Sequence, residues 1–192
     1  MISLGAGLDV AAHEMTHGVI SHSANLVYRN QSGALNESFA DVFGVLVDDG
    51  DWEMGEDIMA PAAKAEGVTV LRSLSNPNSV IVSNEQRREY STNGGVYTDH
   101  MDEFYHMPTS VDGGGVHVNS SITNHAAFLI GQELGREKLG KIYYRALTVY
   151  LTANSNFSDA RNAIVQSAID LYGEGSEEEI AAQSGFDAVG IY

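Results

Sequence analysis

Residues 8–22, LDVAAHEMTHGVISH, are the stretch on which the interpretation of the whole chain depends. Asp9 lies in the first turn of the predicted helix, where a negative charge complements the helix dipole. His13 and His17 are four residues apart, so they share one helix face and both imidazoles can reach one metal ion. Glu14 lies close enough to contact a water molecule on that ion. This HExxH pattern predicts a zinc site, and the alternative is a helix with two structural histidines.

The third metal ligand has to come from another part of the chain. If the motif continued as HExxHxxGxxH, a third histidine ligand would follow the first two directly. That pattern needs glycine at position 20 and histidine at 23, where the chain has Ile20 and Ser23. His22 is five residues after His17, which turns it off the ligand face. The third ligand should therefore come from elsewhere in the chain.

A second predicted helix, residues 34–48, offers Glu37 and Asp41 four residues apart on one face. One carboxylate can bind the metal while the other supports a ligand imidazole from behind. Two histidines, one glutamate and a water describe an open, catalytic zinc site, whereas structural sites are closed. The alternative is an exposed acidic helix face.

The composition limits the classes of function. The chain has 192 residues, enough for the single domain 1–192 that we predict, and a net charge of −16 that makes nucleic acid and anionic membranes poor partners. Cysteine is absent, which excludes disulfides and thiolate ligands. No apolar run approaches the roughly 20 residues of a membrane span, and Met1–Gly7 lacks the basic region of a signal peptide.

Helical periodicity dominates the rest of the sequence, so the predicted fold class is mainly α. Further helices are predicted at 119–134, 136–152 and 158–172, with a short final helix behind a Ser176–Glu179 capping box. Ser158 is the predicted N-cap of the third of these and Gly173 its stop, as Gly50 is for the helix at 34–48. Residues 51–115 are predicted to be a long irregular region, which is often functional.

Six acidic residues fall close together after the second helix: Asp48, Asp49, Asp51, Glu53, Glu56 and Asp57. Such a density of carboxylates repels itself unless a cation or solvent relieves it. Hard oxygen ligands on a flexible loop suit Ca²⁺. The cluster predicts a calcium site, and the alternative is a solvated acidic loop.

Three motifs in order give the chain a family resemblance. HEMTHGV from His13, NESFAD from Asn36 and GGVHVNS from Gly114 together resemble the thermolysin family of zinc metalloendopeptidases. The likeness runs from about Leu8 to Gly190 and covers the C-terminal, helical domain of that family's catalytic unit. It implies that the family's N-terminal β-rich domain is absent from this chain. The isolated chain is then expected to bind zinc but to be slow or to need a companion polypeptide.

The resemblance implies a role for each matching residue. His13, His17 and Glu37 are the implied zinc ligands and Glu14 the general base, with Asn36 and Asp41 supporting the two histidines. The remaining implied catalytic residues are His117 and Tyr28 at the developing oxyanion, Asp112 orienting His117, and Arg72 at a substrate carbonyl. The implied apolar substrate pocket comprises Leu4, Val10, Ile58 and Leu71, and the implied calcium ligands are Asp9, Asp48, Asp51, Glu53 and Glu56.

The expected function is zinc-dependent hydrolysis of internal bonds in a protein or peptide substrate, before apolar residues, with Ca²⁺ as a second ion and an extracellular location implied by the family. One alternative is a catalytically weak or silent zinc- and calcium-binding fragment. Another is an aminopeptidase with the same ligands, which would need a group that captures the substrate's free amine. The sequence shows no motif for such a group.

Overall fold

The structure, a computed structural model, describes residues 7–192, so Leu4 of the predicted substrate pocket lies outside the described residues. Helices dominate the described part of the chain, which confirms the mainly α fold class. In chain order the helices are α1 (Leu8–Ser21), α2 (Asn30–Val47), α3 (Pro61–Ala65), α4 (Glu85–Arg88), α5 (Asp112–Leu134), α6 (Arg136–Arg145), α7 (Phe157–Tyr172) and α8 (Glu177–Ala188). None of the described helices is both long and apolar enough to cross a membrane.

Helix α2 is the central element of the fold, because it packs against α1 on one side and α5 on the other. Its apolar residues Leu35, Phe39 and Val42 are almost completely buried in the main hydrophobic core. Glu37 and Asp41 on the same helix are 2% and 0% exposed, so the alternative of an exposed acidic face is wrong. Buried carboxylates require paired charges or a metal ion, which gives this helix a role beyond packing.

A glycine allows α2 to begin close to its neighbours. A Cβ atom added at Gly33 would lie 2.5 Å from a Val116 methyl group and 2.9 Å from the Tyr28 carbonyl carbon. Any larger residue would therefore push Tyr28 and the start of α5 away from α2. Both neighbours belong to the site described below.

Several predicted helix limits differ from the observed ones. Helix α2 begins at Asn30 and ends before Asp48, short of the predicted stop at Gly50. The N-cap of α7 is Asn156, not Ser158, because Asn156 and Asp159 form a reciprocal capping box that positions Ser158 inside the helix. Gly173 ends α7 as predicted.

The last two predicted helices also differ in detail. After Arg145 the chain widens into one π-helical turn, Ala146–Tyr150, so the predicted helix 136–152 is regular only in its first part. At α8 the Ser176 hydroxyl accepts a hydrogen bond from the Glu179 backbone N–H, as a capping box requires. The Glu179 carboxylate, however, accepts from the backbone N–H of Gly175 and not from that of Ser176. Only half of the predicted capping box is therefore formed.

The predicted irregular region between α2 and α5 contains short ordered elements. Strands β1 (Glu53–Met54) and β2 (Arg72–Ser73) pair antiparallel, with α3 between them in sequence and α4 after β2. A second, smaller hydrophobic cluster anchors the later part of this region; its buried members are Val82, Tyr97, Tyr105, Met107, Val111 and Val118. Because Val118 belongs to α5, the cluster fixes the loop against that helix.

Candidate metal centre

Three side chains from α1 and α2 converge on one point. The Nε2 atoms of His13 and His17 lie 3.0 Å apart, and each is 3.6 Å from a carboxylate oxygen of Glu37. A tetrahedral ion about 2.0–2.2 Å from each ligand requires its ligand atoms to lie about 3.3–3.6 Å apart. The three observed separations bracket that requirement, so the donor set fits a single zinc ion.

The far nitrogen of each imidazole has its own partner. His13 Nδ1 lies 2.8 Å from Asp41 Oδ1, and His17 Nδ1 lies 2.7 Å from Asn36 Oδ1. The Asn36 amide nitrogen donates to the Leu26 carbonyl, which leaves its oxygen facing His17 as an acceptor. In neutral imidazoles both protons are then on Nδ1, so two Nε2 lone pairs and the Glu37 carboxylate face one another. Such a group of acceptors needs a cation, which supports the fit to zinc.

Asp41 is held in place by more than His13. Arg72 donates two hydrogen bonds of 2.6 Å to its carboxylate, and the Asn124 amide donates a third of 2.8 Å. Although burial favours the neutral acid, Arg72 and His13 hold the pKa of Asp41 well below its usual range. Burial by itself would lower the pKa of His13, but Asp41 reverses this and raises it, which makes the imidazole a more basic ligand.

An open cavity of about 500 Å³ lies over the three converging ligands. The residues that line it are Val10, His13, Glu14, His17, Tyr28, Asn36, Glu37, Met54, Leu71, Arg72 and His117. Glu14 is exposed to solvent on this wall, as a residue that contacts water must be. Of the predicted apolar pocket, Val10 and Leu71 line the cavity, whereas Ile58 is fully buried and does not.

His117 and Tyr28 lie side by side at the same cavity. The Tyr28 hydroxyl donates a short hydrogen bond to Glu37 and lies 3.2 Å from His117 Nε2. Burial and the Glu37 charge raise the pKa of the Tyr28 phenol, so it stays protonated and can donate. On the other side of the ring, His117 Nδ1 lies 2.6 Å from Asp112 Oδ1. Glu37, Tyr28, His117 and Asp112 thus form one chain of contacts beside the cavity.

The acidic cluster is arranged differently from the predicted ligand set. Carboxylate oxygens of Asp48, Glu56 and Asp57 lie within 4.8 Å of one another, close enough to share one ion. Asp51 instead accepts a bond from the Glu53 backbone, and the Glu53 carboxylate accepts bonds from Ser73 and Ser75.

Two carboxylate oxygens here are buried without a hydrogen-bond partner among the described residues: Glu56 Oε2 in the cluster and Oδ1 of Asp9, a residue of α1 that bonds to the neighbouring Gly55 backbone. Unpaired buried carboxylate oxygens are costly, so this geometry fits a cation. Burial, with the charges of Asp9 and Asp51, raises the pKa of Glu56 to about 7.

Three residues of these sites were not predicted from the sequence. Asp57 was noted in the acidic run but not assigned as a ligand, and Asn124 and Arg87 were not singled out at all. Arg87 Nη2 lies 2.8 Å from Asp112 Oδ1. No motif marks an arginine in a short polar helix, so only the tertiary structure could identify it.

Comparisons with known proteins place this arrangement in a family. A sequence model described as "Thermolysin metallopeptidase, alpha-helical domain" matches residues 24–191. The extracellular elastase of Staphylococcus epidermidis is 48% identical over 189 residues, which are 98% of this chain and 33% of that protein. Bacillolysin of Bacillus caldolyticus is 42% identical over 206 aligned positions, covering all of this chain and 34% of that protein.

A solved structure shows the same fold. The precursor of protealysin, a metalloproteinase from Serratia proteamaculans, superimposes with a TM-score of 0.80 at 30% identity, over 97% of this chain and 58% of that one. The helices with their converging histidines and glutamate therefore define a metallopeptidase-type helical domain. The chain belongs to the thermolysin metallopeptidase family, and it spans about a third of the length of the curated relatives it matches.

Proposed function

We propose that the chain carries the zinc site of a metalloendopeptidase that hydrolyses internal peptide bonds. The observation that carries this proposal is the convergence of His13, His17 and Glu37 on one point, at an open cavity where Glu14 and His117 face the same space. These five residues supply a ligand set, a base and a hydrogen-bond donor within one site.

Different residues of the chain bind the metal ion and transfer the proton during hydrolysis. His13, His17 and Glu37 would hold the zinc ion, which when bound supplies Lewis acidity that activates water and polarises the scissile carbonyl. Glu14 accepts a proton from the attacking water and passes it to the leaving amine.

Two further side chains stabilise the developing oxyanion. Tyr28 gives up the bond that its hydroxyl donates to Glu37 and donates to the oxyanion instead, and His117 donates from Nε2 when both ring nitrogens are protonated. Asp112 keeps His117 Nδ1 protonated and turned away from the cavity, so that Nε2 faces the substrate. Losing one such donor typically costs about 10²–10³ in rate.

The substrate we propose is a protein or peptide with an apolar residue after the scissile bond. Val10 and Leu71 give the cavity an apolar wall, and Arg72 lies beside them. Arg72 uses Nε and Nη2 to bind Asp41, which leaves Nη1 for the substrate carbonyl. The extracellular location named for the Staphylococcus elastase is proposed for this protein as well.

We also propose that Ca²⁺ binds at the acidic cluster, with Asp9, Asp48, Glu56 and Asp57 as its carboxylate ligands. This set omits Asp51 and Glu53 of the predicted one and adds Asp57, because the Asp51 carboxylate accepts a bond from the Glu53 backbone and the Glu53 carboxylate accepts bonds from Ser73 and Ser75. Four carboxylates suit the six to eight oxygen ligands of calcium when backbone carbonyls and waters complete the shell.

Without calcium, the free energy of unfolding should depend on pH through the protonation of Glu56. Its pKa of about 7 in the folded chain exceeds the usual 4.5, so between these values the folded state binds more protons than the unfolded one. The free energy of unfolding of the chelated chain should therefore fall as pH rises from about 4.5 to 7. Added Ca²⁺ should raise the melting temperature more at pH 7.5 than at pH 5.

Melting followed by circular dichroism, with and without Ca²⁺ at both pH values, measures this effect. Glu56→Gln should flatten the pH dependence and weaken the calcium effect. Glu66→Gln is the matched control, since Glu66 is exposed and outside the cluster. Equal melting temperatures with and without Ca²⁺ at both pH values would exclude the site.

The second candidate function is a zinc- and calcium-binding unit that is slow or silent until another polypeptide segment joins it. The observation favouring it is an apolar face on α1, where Leu8, Met15 and Val19 are 55%, 77% and 44% exposed. A large exposed apolar patch marks an interaction surface.

Peptide cleavage by the purified, zinc-loaded chain distinguishes these functions. An end-blocked peptide with an internal apolar site tests endopeptidase activity, and an aminoacyl amide tests aminopeptidase activity. The proposal expects cleavage of the blocked peptide alone, lost with a chelator and restored by zinc. Zinc binding without cleavage of either substrate would favour the silent unit, and cleavage of the amide alone would contradict the proposal.

A further inference from the structure

We propose that Arg87 is a positioning residue for His117 and that it acts through Asp112. This inference rests on the proposed function, in which His117 donates to the oxyanion. Arg87 Nη2 lies 2.8 Å from Asp112 Oδ1, the same oxygen that lies 2.6 Å from His117 Nδ1. Arg87 and His117 thus share one carboxylate oxygen, with Arg87 Nη2 3.5 Å from the histidine ring nitrogen.

Asp112 holds His117 at two points. Its Oδ1 faces the ring nitrogen, and its Oδ2 accepts a 3.1 Å hydrogen bond from the His117 backbone. The Asp112 side chain is only 1% exposed, so water does little to stabilise its charge. A buried carboxylate needs a fixed positive partner, and Arg87 supplies one whatever the protonation state of His117.

The backbone under Asp112 gives it little support of its own. Asp112 has φ 51°, an unfavourable value for a residue with a side chain, and the next three residues, Gly113, Gly114 and Gly115, also have positive φ. Regular helix begins only at Val116. Four successive left-handed residues form a strained turn, which persists only where the surrounding structure holds it in place. The ion pair with Arg87 holds the Asp112 side chain from outside this turn.

Arg87 is itself held in position by its own loop. Arg87 lies on α4, whose N-cap Asn84 accepts a hydrogen bond from the Arg87 backbone. The neighbouring Arg88 donates to the carbonyl of Val82, which is buried in the cluster shared with Val118 of α5. The loop that carries Arg87 is therefore packed against the helix that carries His117. Because the Arg87 guanidinium is held in this way, it can fix the orientation of the Asp112 carboxylate, which the turn at Asp112 does not fix by itself.

The consequence is a measurable state of the His117 ring. With Arg87 in place, Asp112 keeps its oxygen on His117 Nδ1, which protects that proton from solvent. Without Arg87, the Asp112 carboxylate is free to turn, and the His117 ring loses its fixed orientation. We expect the exchange rate of the His117 Nδ1 proton to rise at least tenfold, and kcat/KM to fall about tenfold to a hundredfold, mainly through kcat.

Nitrogen-15 histidine spectra of the zinc-loaded chain test the inference without depending on activity. Arg87→Gln should increase Nδ1 proton exchange and mix the His117 tautomers, and Arg87→Lys should restore most of the wild-type behaviour. Lys64→Gln, which removes one exposed positive charge from α3, is the matched control and should change nothing. Zinc content should be the same in all four proteins.

The outcomes separate this inference from the proposed function. A wild-type His117 spectrum in Arg87→Gln, or the same change in Lys64→Gln, would overturn the role of Arg87. If Arg87→Gln does not fold, hindered rotation of the Arg87 guanidinium in the wild-type spectrum supports the pairing, and free rotation overturns it. If no protein cleaves peptides, the proposed function fails while the histidine spectra still decide this inference.

Discussion

Replacing Glu14 with glutamine should abolish peptide cleavage while zinc remains bound. Glu14 lines the cavity but is not among the three ligands that converge on the metal point, so the amide should leave the ligand geometry unchanged. Glutamine keeps the size of the side chain but cannot take a proton from water. Losing a general base typically costs about 10²–10⁴ in rate, and the measurement is kcat/KM on an end-blocked peptide.

Two controls show whether a loss of activity comes from the missing base, and not from lost zinc or from the removal of any acidic group. Zinc content by elemental analysis should equal one ion per chain in both wild type and Glu14→Gln. Glu66→Gln removes an exposed acidic group at the C-terminal end of α3 and should retain wild-type activity. Turnover by Glu14→Gln within a few-fold of wild type would remove Glu14 from the mechanism.

The second large effect is expected at Asp41, whose replacement by asparagine should destabilise the fold strongly. Asp41 is fully buried and pairs with Arg72, His13 and Asn124. Removing its charge leaves the Arg72 guanidinium buried without a counter-ion. Breaking a buried pair on one side typically costs about 3–5 kcal/mol, which is a large part of the stability of a domain this size.

Urea unfolding of the chelated protein measures this loss without a contribution from zinc binding. Asp49→Asn is the matched control, because Asp49 is exposed and its replacement should change the free energy of unfolding by less than about 0.5 kcal/mol. A loss below about 1 kcal/mol for Asp41→Asn would show that the Arg72 pair does not stabilise the fold. Arg72→Met with Asp41→Asn should recover part of the loss, since neither charge then remains.

The parts of the structure that depend on local spacing could be predicted from the sequence. Helical periodicity placed α1 and α2, and the four-residue spacing placed His13 and His17 on one face. Spacing could not decide whether Glu37 or Asp41 faces the metal, because both lie on the same side of α2. The structure separates them, since Arg72 and Asn124 approach Asp41 from behind and leave Glu37 facing the imidazoles.

The parts that depend on tertiary contacts could not be predicted in the same way. Asn156 outcompetes Ser158 as a helix cap because its partner Asp159 completes a reciprocal bond. Arg87 gains its position from a hydrophobic cluster that joins distant segments of the chain. His117 and Tyr28 are 89 residues apart in sequence, and only the family resemblance indicated that they meet.

Zinc titration of the chelated chain, combined with X-ray absorption at the zinc edge, tests the metal centre most directly. We predict one tightly bound zinc ion per chain, coordinated by two imidazole nitrogens and by oxygen, with Glu37→Gln weakening its binding at least tenfold. Zinc that binds equally well after Glu37→Gln, or a coordination shell without two imidazoles, would contradict the centre described above.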